Sequence, residues 1–185
     1  FTVDNSLLNL FTLGERLIIG ETSAGTGDVE IDNWDLSGAS YDVEIYGGFV
    51  HLTGGGLTMG AGDFLMHAQN DEDVRIDAAI DRTQDTAATL DIRADQNIIF
   101  RTGGDITASD ANSDTDGDPL TDPDPLNIIL NADRDADQDG GVDIEDVTFT
   151  TNNGYLVAGG GNGIIDSDGN GILGDAGTGP DVTEA

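Results

Sequence analysis

Leu65-Met66-His67-Ala68-Gln69, Leu90-Asp91-Ile92-Arg93-Ala94-Asp95 and Ile128-Ile129-Leu130-Asn131-Ala132-Asp133 are three writings of one phrase, an apolar run ending in alanine and a polar residue. Each is followed, after a few polar residues, by a second short apolar run: Val74-Arg75-Ile76, Ile98-Ile99-Phe100 and Val142-Asp143-Ile144. The alanines stand 26 and 38 residues apart, and the Asp/Pro-rich stretch from Asp110 to Pro125 absorbs the difference. A stacked repeat tolerates such uneven spacing, because each repeat contacts mainly its neighbours and an insertion leaves as a surface loop.

Working outward, the same punctuation continues. Leu17-Ile18-Ile19, Val29-Glu30-Ile31, Trp34-Asp35-Leu36, Val43-Glu44-Ile45, Phe49-Val50-His51-Leu52, Leu57-Thr58-Met59 and Phe64-Leu65-Met66 are parted by glycine-rich corners such as Gly47-Gly48, Gly54-Gly55-Gly56 and Gly60-Ala61-Gly62. Runs of three to five residues between glycines read as half-buried strands. They are too short for the hairpins of a sandwich. The expected fold is therefore all-β, a right-handed parallel β-helix (β-solenoid) with Asp/Gly-rich inserted loops. About seven coils of roughly 20–25 residues would stack like side chains one strand spacing apart, about 4.8 Å. Ala68, Ala94 and Ala132 would fill a corner with room for only a small inward side chain. Residues 1–160 are assigned to the coils, with acidic insertions at about 108–126 and 133–146, and residues 161–185 to a Gly/Asp-rich tail or terminal linker. The apolar cluster within residues 1–13 fits a short helix or a strand.

Composition narrows the function. The formal net charge of the 185 residues is -31, with 37 acidic side chains, six arginines and no lysine. Binding a phosphate backbone needs cationic groups, so nucleic acid is excluded as a partner and cations become the natural counterpart. High-salt adaptation would also produce such a surface. With no cysteine there is neither disulfide nor thiolate metal site. No apolar run reaches the roughly 20 residues of a membrane span. The chain opens on Phe1 without a signal peptide, as expected of a processed chain or a segment of a longer one.

The phrases Asn33-Trp34-Asp35-Leu36-Ser37-Gly38, Val43-Glu44-Ile45-Tyr46-Gly47-Gly48, Leu57-Thr58-Met59-Gly60-Ala61-Gly62-Asp63 and the Leu-x-Ile-x-Ala-Asp-x-x-Ile run at 90–98 resemble coils of filamentous-haemagglutinin-type exoproteins. The likeness covers most of residues 28–160. It implies a large secreted bacterial β-helix of the adhesin and surface-filament kind, hence a non-enzymatic structural or adhesive module, extracellular or at the cell surface. Such a module would be a segment of a long β-helical protein or a filament-forming subunit. Its partners would be itself, end to end, or further coils of a parent chain, together with cell-surface glycans. The family's secretion-recognition motif is not evident in the sequence.

Candidate chemistry centres on Asp135, Asp137, Asp139, Gly140, Asp143 and Asp146. Carboxylates at alternate positions followed by glycine match the D-x-[DN]-x-[DN]-G calcium loop, in which oxygen ligands wrap a hard cation and glycine permits the turn. Val147 to Thr150 reads as strand, so the loop resembles calcium loops inserted in β proteins, and calcium is the expected cofactor. Asp166, Asp168 and Asn170 open a second loop of that spacing, with Asp175 nearby, and Asn112, Asp114 and Asp116 a third. A solvated acidic loop is the alternative in each case. His51 and His67 lie in apolar strand phrases with no nucleophilic serine in a recognisable elbow. Scattered arginines without lysine fit poorly with a polysaccharide lyase, so no catalytic residue is assigned. A carbohydrate-binding or carbohydrate-active β-helix, with Trp34, Tyr41, Tyr46 or Tyr155 stacking on sugar rings, is the competing reading.

Overall fold

A computed structural model of the chain describes residues 5–8, 16–84, 86–109, 125–135, 140–160 and 164–165. The chain is all-β: among the described residues, apart from one turn of helix, α1 (Asn5–Leu8), the regular elements are fifteen strands. These are β1 (Arg16–Ile19), β2 (Val29–Asp35), β3 (Asp42–Gly47), β4 (Val50–Met59), β5 (Phe64–Ala68), β6 (Val74–Ile76), β7 (Ile80–Arg82), β8 (Ala88–Ala94), β9 (Ile98–Phe100), β10 (Ile106–Ala108), β11 (Leu126–Asn131), β12 (Val142–Ile144), β13 (Phe149–Thr150), β14 (Leu156–Gly159) and β15 (Ile164–Ile165).

Among the described residues all the strand pairs are parallel, and they form three columns. The first runs β1, β3, β5, β8, β11, β14. The second joins the front halves of β2 and β4 to β6, β9, β12 and β15. The third joins the back halves of β2 and β4 to β7, β10 and β13. The chain visits the columns in turn and returns to the first after 21 residues (Val43 opposite Phe64) or as many as 38 (Leu90 opposite Ile128). Six strands stack in the first column of the described residues, against about seven coils expected.

Register puts like beside like. Leu17, Val43, Phe64, Leu90, Ile128 and Leu156 form one file of the first column, and Ile19, Ile45, Met66, Ile92, Leu130 and Ala158 another. Val29, Val50, Val74, Ile98 and Val142 head the second column, while Trp34, Leu57, Ile80, Ile106 and Phe149 line the third. From Val43 to Ile144 the members of these files are sealed from water. Each buried aliphatic side chain contributes about 1.5–3 kcal/mol relative to its exposure. Phe100 meets Phe149 edge to face at 5.1 Å between centroids, tying the second column to the third. Ala68 pairs with Ala94, and both are buried with Ala132, as a crowded corner requires.

Two expected breaks are not breaks. Gly54, Gly55 and Gly56 lie within β4, where φ values of 63° and 79° at Gly54 and Gly56 bend one strand from the second column into the third. A Cβ on Gly56 would sit 2.4 Å from the carbonyl oxygen of Ala79, so glycine is required. β2 makes the same bend through an irregularity at Asn33, whose φ is 54°. Local sequence reads glycine as an end, whereas a strand shared between two columns needs glycine as a hinge.

Candidate functional site

The sites with chemical potential are the polar corners and the outward files of the columns. At the corners, aspartate or asparagine precedes a strand, and its main chain and side chain act in opposite directions. The carbonyl of Asp63 accepts the N–H of Val43 at 2.9 Å, while its Oδ1 accepts the N–H of Thr89 at 2.7 Å. Asp63 N–H in turn donates to Asp42 Oδ1 at 2.9 Å. Asp73 Oδ1 takes the N–H of Asn97 at 2.8 Å, and Asn97 Oδ1 takes that of Gly141 at 3.1 Å. Asp105 Oδ1 takes the N–H of Thr148 at 2.7 Å. Each of these side chains bonds the next pass of the chain, so the acids satisfy backbone donors that a tight corner leaves over. The sequence carries the signal, an Asp or Asn immediately before Val43, Phe64, Val74, Ile98 and Ile106, but a reading that treats acids as charge misses it.

The outward files carry Arg16, Arg75 and Arg93 with both histidines, while Arg82 lies buried on an inward file between Met59 and Ala108. On the second column His51 Nε2 lies 2.9 Å from Asp77 Oδ2, and Arg75 Nε donates to both Asp77 oxygens at 2.9 and 2.8 Å. Partial burial pushes the Asp77 carboxyl upward, and the bonds from Arg75 and His51 outweigh it, holding it below the usual range. On the first column Arg16 bonds Glu44 at 2.7 Å, Tyr46 donates to Glu44 at 2.9 Å, and Arg93 holds Asp91. Desolvation raises Glu44, yet Arg16 and Tyr46 leave it net lowered. His67, half-buried beneath Tyr46 at 5.7 Å between rings, is depressed by burial, with Asp95 at 3.5 Å opposing. Arg16, Arg75 and Arg93 thus partner aspartates or glutamates, whereas Arg82, buried at 1% exposure, donates to the carbonyl oxygens of Gln84 and Thr86. Neither histidine contacts a hydroxyl nucleophile in the hydrogen bonds described.

Of the proposed ligand residues the structure describes Asp135, Asp143 and Asp146. Asp133 N–H bonds the Gln96 carbonyl and Gly141 N–H the Asn97 side chain, so the chain leaves and rejoins the columns at one corner. Asp135 lies on the outgoing side. Asp143 is in β12, 7% exposed, with Oδ2 on Arg101 Nη1 at 2.8 Å, while Arg101 Nε reaches Glu145 at 3.1 Å. Asp146, with φ 51°, follows β12. Gly140 has its own packing reason, since a Cβ there would lie 2.3 Å from the Gln96 carbonyl oxygen. Asp137, Asp139, Asp166, Asp168 and Asn170, and the loop at 112–124, lie outside the described residues. Among the described residues no group of three or more His, Asp or Glu side chains is placed to hold a metal ion.

Of the aromatic candidates, Trp34 and Tyr41 are buried at 2% and 7% exposure, which removes them from any sugar-stacking surface. Tyr46 is half-buried under its bonds, and Tyr155 is exposed. No helix among the described residues is long and apolar enough to cross a membrane. Compared with known proteins, the chain matches no family model, no curated protein and no solved structure.

Proposed function

We propose that this chain is a non-enzymatic extracellular structural or adhesive module, built as a right-handed parallel β-helix in the manner of filamentous-haemagglutinin-type exoproteins. The observation that carries the reading is the corner ladder. Asp42, Asp63, Asp73, Asn97 and Asp105 each bond the following pass of the chain, so polar residues that an enzyme would gather into a pocket are distributed along the stack. A protein so made offers length, regular spacing and an acidic exterior. Further coils, of a parent chain or of another copy whose own first edge is open, would extend it beyond β14 and β15. Cell-surface glycans are the ligands this reading expects on the outward files.

Calcium stabilises the module in this reading, through the alternate carboxylates Asp135, Asp137 and Asp139, whose mutual repulsion a divalent cation would offset. A cation bound only by the folded chain raises stability by RT ln(1 + [L]/Kd), about 3 kcal/mol at 100 times the dissociation constant. Thermal melts in calcium, in magnesium and in chelator test this part. A calcium shift no larger than that of equal ionic strength, or one retained by Asp137→Ala with Asp139→Ala, refutes it.

The module reading is tested by deleting residues 64–89, one return of the first column. The shortened chain is expected to keep its strand dichroism and a cooperative melt, and to lose about 4.8 Å of length by small-angle scattering. An unfolded product refutes the reading.

A further inference from the structure

The back half of β2 is the first strand of the third column, and its outer edge carries the Asn33 carbonyl and the Asp35 N–H. Inside the column the pairing rule is visible at Leu57, which stands opposite Ile80: the Leu57 N–H donates to the carbonyl of Ala79, the residue before Ile80, at 2.9 Å. By that rule, a strand added outside β2 would set one residue opposite Trp34, donating its N–H to the Asn33 carbonyl and accepting the Asp35 N–H. The side chain of Asn5, in α1, makes this pair of bonds. Its Nδ2 donates to Asn33 O at 2.8 Å and its Oδ1 accepts Asp35 N–H at 2.8 Å. α1 is fastened by Leu8, 2% exposed, whose carbonyl accepts the Tyr41 hydroxyl at 3.4 Å.

We infer that the Asn5 amide stands in for one residue of a missing strand and closes this edge against a second copy of the chain. An edge strand pairs with whatever backbone is offered, and proteins protect such edges explicitly. The matching surface lies on the same molecule. β13, the last strand of the third column among the described residues, pairs there with β10 alone, and its Phe149 continues the file that begins at Trp34. A second copy adding β13 to β2 would place Phe149 opposite Trp34, with its N–H on Asn33 O and its carbonyl on Asp35 N–H. That contact is head to tail and does not close on itself, so it propagates. Asn5 and that copy compete for the same two backbone groups. The inference gives the stack a direction, and it rests on pairing geometry rather than on the module reading: the coil deletion can fail while Asp35 remains protected.

Amide exchange on the full chain supplies the first test. Asp35 N–H, on an outer edge, is expected to exchange slowly in the unmodified protein, and so is Leu36 N–H, which is bonded to the Thr58 carbonyl. Asn5→Ala should speed Asp35 about tenfold with Leu36 unchanged, and should introduce concentration-dependent association in sedimentation velocity. Adding Asp35→Pro removes the edge donor and should abolish that association. Fast exchange of Asp35 in the unmodified chain overturns the inference without requiring any variant to fold. An Asn5→Ala protein that deprotects Asp35 yet stays monomeric also overturns it, as does association that persists with Asp35→Pro.

Discussion

Replacing Asp63 separates an acid used as a hydrogen-bond acceptor from an acid used as a charge. Asp63→Ala deletes the bond from Thr89 N–H at 2.7 Å and leaves the Asp63 main-chain bonds to Val43 and Asp42 in place. Thr89 is half-buried, so its N–H regains only part of its hydration, and the loss should be about 1–1.5 kcal/mol. For a chain of this size that corresponds to a melting-point decrease of about 2–5 °C. Asp63→Asn retains an acceptor oxygen and removes one of the charges that sum to -31, so it should fall within about 0.5 kcal/mol of the parent. The molecule already contains the control, because Asn97 fills the equivalent position and accepts Gly141 N–H at 3.1 Å. Extending the change to Asp42, Asp63, Asp73 and Asp105 together removes four charges, taking -31 to -27, and should leave a cooperative fold. Urea denaturation with amide exchange at Thr89 measures both effects. If Asp63→Asn loses as much as Asp63→Ala, the charge and not the acceptor holds the corner, and the argument fails. An Asp63→Ala protein with unaltered stability refutes it equally.

Burial holds His67 below its ordinary value of 6.5, so between the two values the unfolded chain binds the more protons and stability must fall as pH drops through about 6.5. His67→Gln should flatten urea midpoints in that window, and an unchanged slope would show the titration to lie elsewhere. Asp77 and Glu44 are held low in the fold, so their contribution is present above pH 4–5 and is lost on further acidification; an Arg75→Met protein should show a smaller acid loss. Arg101→Met leaves the buried Asp143 carboxylate unpaired and should cost about 2 kcal/mol, recovered in large part by adding Asp143→Leu, as a double-mutant cycle would measure. Gly56→Ala forces a Cβ against the Ala79 carbonyl at a φ of 79° and should cost about 3 kcal/mol in thermal or urea melts, a loss that Gly27→Ala, with open space around it, should not share.

What could be read from sequence was local. Apolar runs between glycines marked the strands, and the phrase ending in Ala68, Ala94 and Ala132 marked a corner, since crowding there acts on each residue type separately. Pairing across 21 to 38 residues leaves no such local trace. Asp143 shows the difference. Its neighbours in sequence make it the ninth position of a cation loop, while its partner in space, Arg101, is 42 residues away. The corner acids were hidden by number, because 37 acidic residues disguise a positional rule as composition. Asn5 had no signal at all, as one amide recognises two backbone groups whose side chains are irrelevant to it.

The passage from the third column back to the first is crossed in a few residues between Met59 and Phe64, and between Arg82 and Ala88, yet residues 109–125 separate Ala108 from Leu126 in the sequence. The strands on either side hold register as if nothing intervened, Ile106 opposite Ile80 and Leu126 opposite Ala88. That corner is therefore a socket. A foreign peptide of arbitrary length could be hung from it, and peptides placed at the same corner of neighbouring passes would stand about 4.8 Å apart. The chain would then serve as a pegboard, on which the distance between displayed epitopes is chosen by counting passes.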